Sequence, residues 1–520
     1  MLKFSLCEGK RYLEISHYDN DAELLSLHKG MRRLNENYYH DYRYKNGMWD
    51  GHDPFIINNR YIGTGLWKEL VKYCEDGNHK YELTGMDAIS DAFEFDLEEF
   101  KGFVKKLLKD VPDKKIQLRA YQLEAAVHIL KNKYCTAELA TSAGKTIIFF
   151  LVVSYLKWKG LIDKNNKFVL VVPKIGLLKQ TKDKFEIDYN NGMVPLNIAL
   201  VGGKKNKFKQ EIYDECDMLI ISYQSMNHRK NDFFKPIRHM GIDEAHTSNG
   251  KSIPDALLKC NDLICRFGLS GTIKVKEKYS TLFKIQEHLG PLVMRYSAKQ
   301  LIDDGYSPNV LIKMLYLNYT NIMNDDIIAF RKLIKEGNRS DVAIEDWGKM
   351  IYNQESVLVR ENEYRLNFIT KLVNKLDNNK LILFNDVKTG YGKRIYESIK
   401  EDNPNTFYID GSVDEMTRDK YQEVMENNLG VTIVASYGTF STGIDLENLH
   451  YIILAESYKA EILIRQTIGR GMRHHASKEA VVVIDIIDTF GKYGKKHAVD
   501  REKIYKKQSF TIKKHEIFLK

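Results

Sequence analysis

Short, continuous apolar runs recur along this chain with helix-sized or longer stretches between neighbours, and that alternation restricts the fold more than any other feature. "FVLVVP" (168–173), "DMLIIS" (217–222) and "HMGID" (239–243) form one series. "KLILFND" (380–386), "TFYIDG" (406–411), "VTIVAS" (431–436), "YIILAE" (451–456) and "AVVVID" (480–485) form a second. Runs that are apolar throughout, rather than at every other position, belong to strands covered on both faces. Alternating them with amphipathic helices specifies an α/β fold with parallel sheets. The fold class expected is therefore two tandem parallel-sheet domains preceded by a small α+β N-terminal domain.

The length allows this, since 520 residues suffice for about three domains of ~150 residues. Residues 1–112 carry turn signals at "KNGMWDGHDP" and "CEDGNH" and a helical pattern at "DLEEFKGFVKKLLKDV", and read as the N-terminal module. The first parallel-sheet domain is expected over 113–300 and a helical connector over 301–376. The second domain follows over 377–490, then a basic tail over 491–520. Between Lys492 and Lys520, lysine and arginine outnumber acids ten to three within a net charge of +9. That excess suits a polyanionic partner, or simply a solvated basic end.

The longest apolar run, Ile147–Leu156, is shorter than the ~20 residues that cross a bilayer, and the opening residues lack a secretory leader's apolar core. A cytoplasmic protein is expected, with no membrane partner. Six cysteines show no zinc-site spacing and read as buried free thiols.

Chemistry enters at "LATSAGKTII" (139–148). It ends like a phosphate-binding loop, yet Leu139 stands where the pattern G-x-x-x-x-G-K-[ST] has its first glycine. In the functional reading, Ala140, Thr141, Ser142, Ala143 and Gly144 wrap a phosphate with backbone N–H groups, Lys145 adds charge, and the Thr146 hydroxyl ligates Mg²⁺. In the other, Ser, Gly and Thr merely start a helix.

The segment "GIDEAHTS" (241–248) decides between them. Asp243, at the end of an apolar run, reaches the magnesium shell, and Glu244 polarises the attacking water. An exposed acidic turn would supply carboxylates, but not at a strand end downstream of a Lys-Thr loop.

In order along the chain, "ATSAGKT", "DEAH", "LSGT" (269–272), "ASYGTFSTGIDLENL" (435–449) and "QTIGRGMR" (466–473) resemble motifs I, II, III, V and VI of the superfamily 2 helicases, in which the first loop glycine is commonly missing. The resemblance implies two RecA-like domains, ATP and Mg²⁺ as cofactors, and an ATP hydrolase acting on nucleic acid. It implies that Gln122 reads adenine, with Arg119 and Tyr121 shaping the pocket. It also implies that Gly443 and Asp445 touch the nucleotide, and that Gln466, Arg470 and Arg473 face the γ-phosphate. Ser270 and Thr272 would link hydrolysis to strand movement. Lys174 and Gln180 of "LVVPKIGLLKQ", Ser222 and Gln224 of "SYQSM", and Ser436 and Thr442 would grip the sugar–phosphate backbone.

The four letters Asp243–His246 are shared with the DEAH-box RNA helicases, whose motif VI usually reads Gln-Arg-x-Gly-Arg-x-Gly-Arg. Thr467 and Met472 depart from it, which favours the DNA-repair side of the superfamily. The N-terminal "YYHDYRYKNGMWDGHDP" resembles the same region of a phage helicase. It interleaves Tyr38, Tyr39, Tyr42, Tyr44 and Trp49 with Arg43 and Lys45, as a surface that stacks on unpaired bases or as a small core.

The expected activity is thus an ATP-dependent DNA helicase or translocase that remodels branched DNA (forks, Holliday junctions, displacement loops, R-loops) in replication, recombination or repair. Single-stranded and branched DNA are its partners, with RNA in R-loops and a single-strand-binding protein as further ones. A phage-encoded, monomeric chain in host cytoplasm is implied. The competing readings are an ATP-switched annealing or junction-binding protein, and an RNA helicase.

Overall fold

Leu2, Phe4, Leu13 and Ile15 are buried beside more exposed neighbours, the period of strands with one face on a core. The first seven strands are short: β1 (Leu2–Leu6), β2 (Tyr12–His17), β3 (Arg32–Leu34), β4 (His52–Pro54), β5 (Ile56–Ile57), β6 (Tyr61–Gly63) and β7 (Tyr81–Thr84). They make a mixed sheet in the order β5-β6-β2-β1-β7 and a separate β3-β4 ribbon. The computed structural model describes all residues except 110, 113–115, 203–208, 251, 261, 274–278, 323–324, 338–343, 441–445, 459–460, 474 and 476. The chain divides into two units, Met1–Tyr296 and Ser297–Lys520.

In the first unit, β8 (Tyr134–Leu139), β9 (Lys167–Val172), β10 (Ile198–Val201), β11 (Met218–Ser222), β12 (Ile237–Asp243), β13 (Cys265–Ser270) and β14 (Leu292–Tyr296) form a seven-stranded sheet. Its order is β10-β11-β9-β12-β13-β8-β14, and every pairing is parallel. Strands β8 and β12 therefore flank β13, and the loops that leave their C-terminal ends open side by side at the crevice where α/β sheets bind ligands. The helix Lys145–Trp158 follows β8, and Ile147 to Leu156 are all buried in it. The longest apolar run of the sequence is a helix covered on every side.

The mixed sheet is seated on the helix Ser280–Leu289. Phe283 joins its core, Asp53 accepts from the Ser280 hydroxyl at 2.5 Å and pairs with Lys284 at 2.7 Å, and a Cβ on Gly65 would overlap the Gln286 carbonyl. The helix Leu97–Leu107, expected within the N-terminal module, packs instead against Lys145–Trp158. Tyr155 donates to Glu99 at 2.5 Å, and its ring meets Phe100 edge-on at 5.0 Å. Its apolar face, with Phe100, Phe103, Val104 and Leu107 buried, finds there a larger surface than the short N-terminal strands offer.

The second unit repeats the architecture. Strands β15 (Asn309–Asn318), β16 (Lys380–Phe384), β17 (Thr406–Ile409), β18 (Thr432–Ser436), β19 (Tyr451–Leu454), β20 (Ala480–Asp488) and β21 (Thr511–Phe518) run parallel in the order β17-β18-β16-β19-β20-β15-β21. Two stretches differ from expectation. The segment 301–376 begins with the ten-residue strand β15, between β20 and β21, before its helices follow. The last thirty residues are part of this unit: a helix, Tyr493–Lys507, and the edge strand β21. Arg501, 1% exposed, forms a two-bond pair with Asp485 at 2.7 and 2.8 Å, so part of the basic excess is internal. A second buried pair, Arg365 with Asp488 at 2.7 Å, ties the helix Glu363–Asn374 to β20.

Five of the six cysteines are buried and Cys7 is partly so. Among the described residues, no helix is long and apolar enough to cross a membrane.

Candidate nucleotide and nucleic-acid site

Strand β8 runs through to Leu139, which is fully buried and paired with Tyr296. The position of the missing glycine is thus the last core residue of a strand, and the loop starts after it. Ser142 and Gly144 have left-handed backbones, φ +69° and +73°. Backbone N–H groups flanking such residues form the concave nests that hold anions. Lys145 and Thr146, both half-buried, open the helix, where unpaired N–H groups and the helix dipole also favour an anion.

The loop is braced from behind by the helix Ala120–Asn132. The Ala143 carbonyl accepts from the Tyr121 hydroxyl at 2.8 Å and from Gln122 Nε2 at 2.9 Å. Gln122 Oε1 accepts from the Arg119 backbone N–H at 2.9 Å, and Arg119 donates to Tyr121 at 3.2 Å. Tyr121 stacks on Tyr296, ring centroids 3.9 Å apart. Gln122, 4% exposed, therefore holds the loop in shape and keeps only one N–H and one lone pair for a base. A Cβ on residue 144 would lie 2.4 Å from its Nε2, so Gly144 is required on steric as well as conformational grounds.

Asp243 ends β12 and Glu244 follows with φ +55°. A left-handed backbone at a residue other than glycine costs about 1–3 kcal/mol and persists only when its surroundings fix it. Here the Asp243 carboxylate accepts from the Glu244 N–H at 3.0 Å, and the Glu244 carbonyl accepts from Thr247 N at 3.0 Å and Thr247 Oγ1 at 2.9 Å. The Glu244 carboxylate lies 3.5 Å from Lys145 Nζ and 3.3 Å from His246 Nδ1, and it accepts from the Ser270 hydroxyl at 3.2 Å. His246 Nδ1 also meets Thr272 Oγ1 at 3.0 Å. Motifs I, II and III of the sequence thus converge on one carboxylate.

Burial acts to raise the proton affinity of Glu244, but Lys145, His246 and Ser270 outweigh it and hold the carboxyl below its usual range. Asp243 is pushed the other way, by burial first and then by the charge of Glu244. The Thr146 hydroxyl and the Asp243 carboxylate are hard oxygen donors of the kind Mg²⁺ takes together with substrate phosphates. Among the described residues no three or more His, Cys, Asp or Glu side chains cluster as a metal cage.

The remaining expected contacts are scattered. Gln466 and Arg470 lie on the helix Glu461–Gly471 of the second unit, with Arg473 just beyond it. Arg470 donates to the Phe440 carbonyl and lies 5.1 Å from that ring. Thr442, Gly443 and Asp445 lie outside the described residues. Ser222 and Ser436, expected to touch the sugar–phosphate backbone, have buried side chains committed elsewhere. Ser222 Oγ caps the helix Tyr223–Asn227 by accepting from Ser225 N, and Ser436 Oγ accepts from Thr439 N, both at 3.3 Å. A serine ending a strand just before a helix is in the position where a cap is needed. Lys174 is half-buried, whereas Gln180 and Gln224 are exposed.

In the N-terminal module Tyr39, Tyr42, Tyr44 and Met48 are exposed. Arg43 lies 4.8 Å from the half-buried Trp49 ring and pairs with Asp41 at 2.9 Å. Tyr39, Tyr44, Met48 and Trp49, with Lys45 and Asp50, border an open hollow of about 630 Å³. Tyr223 was not anticipated. Its hydroxyl donates to the Asp243 carbonyl at 2.6 Å, and the sequence signal available was the Ser-Tyr pair present at 222–223 and again at 436–437.

Known proteins are similar to this chain. Residues 115–275 match the family described as the type III restriction enzyme, res subunit. The ATP-dependent DNA helicase uvsW of Enterobacteria phage T4 is 28% identical over 96% of this chain and 97% of its own. The DNA 3'-5' translocase XPB2 of Sulfurisphaera tokodaii is 24% identical over 82% of this chain and 94% of its own. Among solved structures, the ATP-dependent type ISP restriction-modification enzyme LlaBIII bound to DNA superposes with a TM-score of 0.54 at 16% identity. It covers 78% of this chain and 32% of that one, a likeness of fold alone.

Proposed function

We propose that this chain, a member of helicase superfamily 2 and an ATP-dependent DNA helicase or translocase, remodels branched DNA. The observation that carries the motor reading is the meeting of Lys145, Glu244, His246, Ser270 and Thr272 at the C-terminal edge of three adjacent strands. Loop N–H groups and Lys145 bind the β- and γ-phosphates, and Glu244 takes a proton from the attacking water. Mg²⁺, held by Thr146 and Asp243, would neutralise charge on the transferring phosphoryl group. Gln466, Arg470 and Arg473 act on the same phosphate, the arginines as fingers.

Branched substrates (forks, Holliday junctions, displacement loops and R-loops, in replication, recombination or repair) are supported by the exposed Tyr39, Tyr42 and Tyr44 beside Arg43 and Trp49, a surface able to stack on unpaired bases. Likeness to a phage DNA helicase over nearly the whole of both chains supports the DNA-helicase reading and a phage origin, hence action in host cytoplasm. Exposed Gln180 and Gln224 and half-buried Lys174 contact the backbone, sequence-independently and salt-sensitively.

The test is ATP hydrolysis stimulated by single-stranded DNA, duplex, fork, four-way junction and RNA, each at one stated salt concentration. Forks and junctions are expected to stimulate most. Equal stimulation by all five would remove branch preference, and RNA as the strongest activator would replace DNA as the substrate.

A further inference from the structure

Tyr223 stands between the strand-contact elements and the hydrolysis residues. It opens the helix Tyr223–Asn227, which also carries the exposed Gln224. In the sheet, β9 separates β11 from β12, and the Tyr223 side chain spans that gap. Its hydroxyl donates to the Asp243 carbonyl at 2.6 Å, with the Glu244 carbonyl 3.3 Å away. The bond is thus made to the main chain at the left-handed turn that aims the Glu244 carboxylate. Burial pushes the Tyr223 phenol well up, so it is a neutral donor throughout the working pH range.

The second unit contains the same device. Ser436 ends β18, and Tyr437 and Thr439 open the helix after it, as Ser222 ends β11 and Tyr223 and Ser225 open theirs, with the same hydroxyl-to-hydroxyl distance of 2.9 Å. Tyr437 spans β16 as Tyr223 spans β9, and reaches the Glu456 carbonyl just beyond β19. That contact is long, 3.5 Å. The Glu456 carboxylate is occupied by Arg360 and by the N–H groups of Asn385 and Asp386. The tyrosine brace is therefore a property of the fold, and only in the first unit does it close tightly, on the hydrolysis residues.

We infer that Tyr223 is a positioning residue that couples nucleic-acid contact at the helix Tyr223–Asn227 to the aim of the Glu244 carboxylate, an inference that rests on the motor reading above. A strand held by Gln224 fixes the start of that helix, and the hydroxyl carries the constraint to the Asp243–Glu244 peptide. Without the hydroxyl, nucleic acid still binds and ATP still binds, but the one no longer accelerates hydrolysis of the other.

The experiment is Tyr223→Phe, assayed for kcat and KM for ATP with and without saturating single-stranded DNA, for DNA affinity by fluorescence anisotropy, and for thermal unfolding. The expected result is a DNA-stimulated kcat lowered by about tenfold or more, with KM for ATP and Kd for DNA within about twofold of the unaltered chain. A stimulated kcat that does not fall overturns the coupling role. So does a parallel loss of ATP affinity, DNA affinity and thermal stability, which marks a brace of general structure. If the unaltered chain shows no stimulation by DNA at all, the motor reading falls, and this inference with it.

Discussion

Lys145 Nζ lies 3.5 Å from a carboxylate oxygen of Glu244, with both side chains largely withdrawn from solvent. The lysine comes from the loop after β8 and the glutamate from the loop after β12, so the pair spans the mouth of the crevice between those strands. On the proposed motor reading, a nucleotide phosphate entering the loop would compete with Glu244 for the ammonium and free the carboxylate for water.

Lys145→Ala removes the cation from both tasks. Phosphate release at saturating ATP and DNA should fall by about a hundredfold or more, while circular dichroism and the unfolding midpoint show a folded chain. A folded variant that still turns over ATP at the original rate would remove Lys145 from the site.

Gly144→Ala places a methyl group 2.4 Å from Gln122 Nε2 on a backbone with φ +73°. Both effects distort the loop. A loss of about 1–3 kcal/mol of stability is expected, along with a smaller rise in melting temperature on adding a non-hydrolysable ATP analogue. A full ligand-induced shift would show that the loop tolerates the side chain.

Arg473→Ala tests the proposed finger role. A finger arginine acts on the transferring phosphoryl group, so kcat should fall by about a thousandfold with ATP affinity retained. Loss of affinity with kcat preserved would make Arg473 a binding residue. Arg470 also holds the Phe440 carbonyl.

Acid should destabilise the first unit through His239. This fully buried ring makes a 3.0 Å bond from Nε2 to the Leu161 carbonyl, and its Nδ1 has no partner among the described residues. Burial lowers its pKa from 6.5 to about 4. The unfolded chain takes up the proton first, so this contribution is present above pH 6.5 and is lost as pH falls toward 4, by up to about 3 kcal/mol. Denaturant unfolding followed from pH 7.5 to 5 should show a shallower decline for His239→Gln than for the unaltered chain. Equal slopes would mean that His239 does not set acid stability.

The parts of the fold legible in the sequence were those with strong local signals. Eight apolar runs correspond to strands because a strand buried on both faces must be apolar throughout, and Gly144, Lys145, Asp243 and Glu244 stood out because phosphate chemistry needs those residue types at strand ends. Strand β15 is less legible because Lys313 interrupts its apolar run, and what makes it a strand is pairing with β20 and β21, far away in sequence. Strand β21, "TIKKHEIF", is largely exposed and takes its conformation from the free edge of β15 rather than from its own composition. The serines 222 and 436 were legible as residues next to a functional turn, but not as helix caps, because a hydroxyl suits either task. Gln122 and Tyr223 show the same limit. The type of Gln122 suits binding and that of Tyr223 carries no signal of its own, while their hydrogen bonds to Ala143 and Asp243 depend on tertiary packing.

The central claim, that Lys145 and Glu244 form the hydrolysis centre of a DNA-driven motor, is tested most directly by Glu244→Gln. The amide can still bond to Ser270 and His246, so the local structure is kept while the base is removed. DNA-stimulated phosphate release should fall by about three orders of magnitude or more, with ATP and DNA binding intact. Release at the original rate would contradict the account and leave ATP as a conformational switch, hydrolysed elsewhere or incidentally.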